Sequence, residues 1–101
     1  MYDLIKKCKW DQIPVDYKDE YDWTVAMLAA YYGTIGHLPR RFYHDPLIKN
    51  RYGSTVAMLA AGNNRIKDLP LSFYHNPNIK DNDDWTVAIY AARNRCINDL
   101  P

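Results

Sequence analysis

Thr24-Val25-Ala26-Met27-Leu28-Ala29-Ala30 returns as Thr55-Val56-Ala57-Met58-Leu59-Ala60-Ala61 and again as Thr86-Val87-Ala88-Ile89-Tyr90-Ala91-Ala92, at a step of 31 residues each time. The same step relates Leu38-Pro39, Leu69-Pro70 and Leu100-Pro101, the lysines Lys18, Lys49 and Lys80, and Ile35, Ile66 and Ile97. A fixed period in this range marks stacked structural units, each too small to bury its apolar face alone. The chain therefore reads as one all-α domain, a helical solenoid over residues 1–101. Residues 1–16 form an N-terminal half-repeat cap, followed by repeats at 17–47 and 48–78 and a truncated third at 79–101.

Within each unit the threonine is a good N-cap, because its hydroxyl can accept from a backbone N–H two or three residues on. The Ala-rich run after it has strong helix propensity. First helices are expected near residues 24–32, 55–63 and 86–94. Ala26, Ala29, Ala30 and their equivalents put small side chains on one helix face, which lets the next helix approach closely. Gly33 can end the first helix in the left-handed region, and Asn64 can do the same in the second. Arg95 adopts that conformation less easily, so the third helix is expected to end differently.

After each first helix, Ile35 and Leu38 read as buried anchors of a short connection. Pro39 and Pro70 suit the first position of brief second helices, stopped by Asp45-Pro46 and Asn76-Pro77. The polar segments that follow, Ile48 to Ser54 and Ile79 to Trp85, read as extended fingers bent at their tips. At the start, Leu4, Ile5 and Cys8 share one face of a short amphipathic helix. One period carries Leu4 onto Ile35, which aligns this opening with the second half of a repeat.

At 48% hydrophobic and 25% charged, the chain has the balance of a soluble globular protein. It has no apolar run of membrane length and no signal-peptide core, which points to a cytoplasmic protein. Cys8 and Cys96 fall at unlike repeat positions and are expected as free thiols. The net charge is +1, yet the middle third collects Arg40, Arg41, Lys49, Arg51, Arg65 and Lys67. That basic stretch reads first as the solvated edge of a solenoid and second as a nucleic-acid groove.

The run Lys49-Asn50-Arg51-Tyr52-Gly53-Ser54-Thr55-Val56-Ala57-Met58-Leu59-Ala60-Ala61 resembles the signature of the ankyrin repeat family. The likeness lies in the Asn, the Gly two residues before the Thr, the Thr that opens the helix, and the Ala pair that follows. This sequence has Val25, Val56 and Val87 where the family has Pro, and Met27, Met58 and Ile89 where it has His. Asp22 and Asp84 replace the turn Gly in two units. The resemblance implies that fingers and first-helix ends line a concave side that contacts partners.

Chemistry-bearing motifs are few. There is no Ser/His/Asp spacing, glycine-rich phosphate loop or paired Cys, so no enzyme, cofactor or metal site is expected. His44 and His75 share one repeat position and read as structural groups at a helix end. Asp81-Asn82-Asp83-Asp84 lacks the Gly and the distant Glu of a calcium loop.

The candidate binding residues are those that do not repeat: Glu20, Tyr21, Trp23, Arg51, Tyr52, Ser54, Asn82, Asp83 and Trp85 in the fingers, and Tyr31, Tyr32, Asn63, Arg93 and Asn94 at the first-helix ends. Tyr, Trp and Arg are the types enriched in binding hot spots, although Trp23 and Trp85 equally suit packing between fingers. The expected function is protein–protein interaction by a small binding or inhibitory protein, a size that suits a virus- or phage-encoded inhibitor or an effector. The alternative is a nucleic-acid-binding or nucleic-acid-mimicking regulator. The C-terminal edge, near Ile89, Tyr90 and Ile97, is expected to lack a covering layer and to offer a surface for self-association or for the partner.

Overall fold

A computed structural model describes residues 1–100. Pro101, which the repeat aligns with Pro39 and Pro70, lies outside the described residues. The chain is all-helical. It has no strand among the described residues, and one antiparallel bridge pairs Lys18 with Thr24. The helices α1 (Tyr2–Lys6), α2 (Val25–Tyr32), α3 (Val56–Gly62) and α4 (Val87–Arg93) pack in chain order, each against the next.

The repeated threonines start the helices as their chemistry requires. Thr24 Oγ1 accepts from Met27 N–H at 3.3 Å, Thr55 Oγ1 from Met58 N–H at 3.4 Å and Thr86 Oγ1 from Ile89 N–H at 3.4 Å. Ala29, Ala60 and Ala91 have no exposed surface, so the small-residue face is where neighbouring helices meet. The α2 helix is buried along its length from Val25 to Ala30, whereas α4 buries only Ala91. The outer side of α4 leaves Ile89 and, beyond the helix, Ile97 exposed.

All three long helices end alike, which corrects the expectation for the third. Gly33, Asn64 and Arg95 all take positive φ, of 82°, 57° and 57°. Beyond them, Thr34, Arg65 and Cys96 donate N–H to the carbonyls of Ala29, Ala60 and Ala91 at 2.8, 2.7 and 2.9 Å. This is the bond that closes a helix through a left-handed residue and satisfies an otherwise orphaned carbonyl. A left-handed arginine costs on the order of 1 kcal/mol relative to glycine, and that closing bond offsets it.

The N-terminal helix belongs to the same series. Cys8 has φ 58°, and Lys9 N–H donates to Leu4 O at 2.8 Å. A 3₁₀ turn follows at Trp10–Gln12, as one follows α2 at Ile35–His37. By hydrogen bonding, then, α1 aligns with α2 at a step of 25 residues, placing Leu4 on Ala29 and Trp10 on Ile35. The sequence alignment of Leu4 with Ile35 is replaced, because the opening unit omits a second turn and so breaks the 31-residue step.

That second turn is a 3₁₀ turn and not an α-helix, at Arg40–Phe42 and Leu71–Tyr74. Pro39 and Pro70 stand just outside it with extended ψ of 148° and 140°, so they flank the turn where the first helical position was expected. The tyrosines at the ends of these turns, Tyr43 just past the first and Tyr74 closing the second, hold the layer down. Tyr43 Oη donates to Ile35 O at 3.5 Å, and Tyr74 Oη to Ile66 O at 2.9 Å.

Candidate functional site

Each finger is built on one side-chain oxygen. Asp19 Oδ1 accepts from the N–H groups of Tyr21 and Trp23, both at 2.9 Å. Asn50 Oδ1 accepts from Tyr52 at 2.9 Å and Ser54 at 3.0 Å, and Asp81 Oδ1 from Asp83 and Trp85, both at 2.9 Å. Asp and Asn favour such local turns because their short side chains reach backbone donors two residues on. The turn then passes through a left-handed residue, Asp22, Gly53 or Asp84, with φ 64°, 75° and 63°. Asp22 and Asp84 therefore take the glycine's conformation at some strain.

The finger tips are also linked to one another. Arg51 N–H donates to Tyr21 O and Asn82 N–H to Tyr52 O, both at 3.0 Å, while Asn82 Nδ2 donates to Arg51 O at 2.9 Å. Gly53 leaves no room for a side chain against the next finger: a Cβ there would lie 2.8 Å from the backbone nitrogen of Asn82.

Between the fingers and the helix ends lie two adjoining clefts. The first, about 280 Å³, is lined by Tyr2, Asp19, Tyr21, Trp23, Leu28, Tyr31, Tyr32 and Tyr52. The second, about 310 Å³, is lined by Tyr31, Met58, Leu59, Gly62, Asn63, Trp85, Tyr90, Arg93 and Asn94. Tyr31, 57% exposed, belongs to both. Its ring meets Trp23 at 5.4 Å and 87°, and Tyr32 at 5.4 Å and 76°, while Tyr2 meets Tyr32 at 6.3 Å. Tyr21 and Tyr52 pair across adjacent fingers at 6.0 Å. In the second cleft Trp85 stands edge-on to Tyr90 at 5.0 Å, and the Arg93 guanidinium lies 4.8 Å from the Trp85 ring centroid.

Nine of the sequence-derived candidates thus line the clefts: Tyr21, Trp23, Tyr31, Tyr32, Tyr52, Asn63, Trp85, Arg93 and Asn94. The other five do not. Ser54 is buried, which removes it from any contact surface. Asn82 is engaged between fingers, Arg51 pairs with Asp22 at 3.5 Å, and Glu20 and Asp83 lie exposed on the tips. Asn63 also serves the stack, donating Nδ2 to the end carbonyls of α2, Ala30 O at 3.0 Å and Tyr31 O at 2.7 Å. Asn94 Nδ2 does the same for its own helix at Tyr90 O, 3.0 Å.

Sequence reasoning picked out Asn50 in the repeat signature and Asp81 in the acidic cluster, but it gave no finger-building role to Asp19, Asn50 or Asp81, which recur at the 31-residue step. It also missed Tyr2, and Tyr90 as a cleft wall; Tyr90 breaks the repeat where Leu28 and Leu59 stand. The Tyr90 hydroxyl donates to Asp81 Oδ2, while Tyr2 donates to Asp19 Oδ2 at 3.2 Å. Desolvation and then the bond to Asp81 push the Tyr90 phenol up to about 12. Desolvation acts to raise the Asp81 carboxyl, but hydrogen bonds from Tyr90, Trp85 and Asp83 hold it below its ordinary value. Asp81 thereby commits Oδ1 to the finger and Oδ2 to α4.

Four of the six basic side chains of the middle third have an acidic partner, Arg51 with Asp22 among them. Arg41 pairs with Asp11 at 3.5 Å, Arg65 with Asp68 at 3.8 Å and Lys67 with Asp99 at 3.3 Å, and Lys49 Nζ donates to Lys80 O at 3.0 Å. His44 Nε2 lies 3.1 Å from Val15 O. Cys8 and Cys96 are both free, and Cys96 is buried with Sγ 3.4 Å from Ala61 O. No protein-family model matches the chain, and no curated protein matches it.

Proposed function

We propose that this chain is a divergent ankyrin-like module that binds another protein through the paired clefts, as a small binding or inhibitory protein. One observation carries the reading: Tyr21, Tyr31 and Tyr52 are 46%, 57% and 53% exposed around two adjoining aromatic clefts. Large rings left in solvent at the rims of shaped depressions are what protein interfaces use, since they offer apolar area with little entropy to lose. A clustered set of this kind needs an explanation that scattered surface rings do not.

The ankyrin-like part of the proposal is supported by the repeated finger turn, the Thr-capped helix and the left-handed helix end. Local pairing of the basic middle weighs against the nucleic-acid reading, because a groove for phosphates keeps its cations free to displace counterions.

The test begins with capture of partners by the tagged full chain, with and without nuclease, and ends with one purified partner and two variants. Tyr31→Ala and Tyr52→Ala are expected to weaken that partner by about 2 kcal/mol each, with Tm nearly unchanged. Capture that disappears with nuclease, or undiminished binding by both variants, would remove the proposal.

A further inference from the structure

We infer that the first cleft receives a cationic side chain, a lysine ammonium or an arginine guanidinium, from a basic segment of the partner protein. This rests on the clefts being the binding surface and specifies what one of them recognises.

Two features of the lining argue for it, its rings and its carboxylate. Six of its eight residues are aromatic, and the pairs Trp23–Tyr31, Tyr31–Tyr32 and Tyr2–Tyr32 stand at 87°, 76° and 64°. Rings set near right angles turn their electron-rich faces in several directions around one space, the arrangement that attracts a cation. Asp19 is the only carboxylate in that lining, and among the described residues it has no ion-pair partner within 4.0 Å. Its bonds come instead from neutral donors, the N–H groups of Tyr21 and Trp23 and the hydroxyl of Tyr2, which leave its negative charge uncompensated.

Cations of the chain itself already use these rings. Lys6 Nζ lies 4.7 Å from the Tyr32 centroid, as Arg93 lies over Trp85 in the neighbouring cleft. Size limits the guest: about 280 Å³ is at or below the small end of pockets that enclose a whole small molecule. One long side chain, its stem against the rings and its charge near Asp19, fits that volume. The second cleft lacks this character, since its lining holds Arg93 and two asparagines and no carboxylate.

The three tryptophans make the test direct, with Trp23 in the first cleft, Trp85 in the second and Trp10 buried in the core. The full chain, labelled with nitrogen-15, is titrated at pH 7 with the N-acetyl methylamides of lysine, arginine, norleucine and glutamate while the indole N–H signals are followed. The lysine and arginine probes are expected to shift Trp23 saturably, with affinity about tenfold above norleucine, and to leave Trp85 and Trp10 in place. Tyr31→Ala should reduce that affinity several-fold in a chain of unchanged Tm. Equal binding of norleucine or glutamate, equal movement of Trp85, or no saturable shift would each overturn the inference. If lysine fails while Tyr31→Ala still weakens the purified partner, only the cation assignment falls. If Tyr31→Ala and Tyr52→Ala leave partner binding intact, the proposed function falls whatever the titration shows.

Discussion

The two clefts share Tyr31 and match at three repeat positions, Leu28 with Leu59, Tyr31 with Gly62 and Tyr32 with Asn63, yet they are finished differently. In the first, α2 ends in Tyr31 and Tyr32, and the wall is aromatic with one carboxylate. In the second, α3 ends in Gly62 and Asn63, so the wall is opened at the glycine and completed from α4 by Tyr90 and Arg93. The finger acids diverge in the same way. Asp19 takes its third hydrogen bond from Tyr2 on the preceding helix, whereas Asp81 takes its own from Tyr90 on the helix that the finger leads into. The turn and cap residues are held constant by backbone bonding, while the helix-end positions are free to set the character of each cleft.

The largest expected effect breaks the frame common to both. Gly53→Ala puts a Cβ into the left-handed region and against the backbone of Asn82, which should cost about 2 kcal/mol. Thermal unfolding measures it, and an unchanged Tm would mean that the fingers do not support the clefts as described.

A smaller effect tests the bond between Asp81 and Tyr90. Because the folded-state pKa of Asp81 is depressed, its contribution is present above the ordinary carboxylate range and lost as pH falls through the folded value. Asp81→Asn should therefore lower stability at pH 7 by about 1 kcal/mol, and the gap to the parent should narrow on acidification. Tyr90 has the opposite sign: its phenol is raised from 10.0 to about 12, so stability is complete below pH 10 and declines as pH rises toward 12. Tyr90→Phe should flatten that alkaline limb. Urea titrations across pH check both, and an Asp81→Asn deficit that does not change with pH would refute the linkage.

The smallest effect sharpens the contrast between the helix ends. A Cβ at Gly62 would meet the Tyr90 ring at 3.4 Å, an ordinary contact. Gly62→Ala should therefore raise stability by about 0.5–1 kcal/mol through helix propensity and narrow the second cleft only. Calorimetry gives the first quantity, and the indole signals of Trp85 against Trp23 give the second. A loss of stability would mean that α3 needs its glycine for closer packing than is seen.

Features enforced within a few residues along the backbone can be read from residue types alone. Thr24, Thr55 and Thr86 as caps, the alanines as the meeting face and Gly33 and Asn64 as helix ends were legible because one short hydrogen-bonded ring or one steric rule decides each. Arg95 escaped because propensity disfavours it, and only its place in the 31-residue step, closed by Cys96 on Ala91, overrules that preference. The tertiary structure decided the rest. It assigned Asn63 and Asn82 to holding the stack and set Tyr2 opposite Asp19. Those outcomes depend on which groups meet across distances of 17 to 33 residues in the chain, and a residue's type and repeat position do not record what stands opposite it.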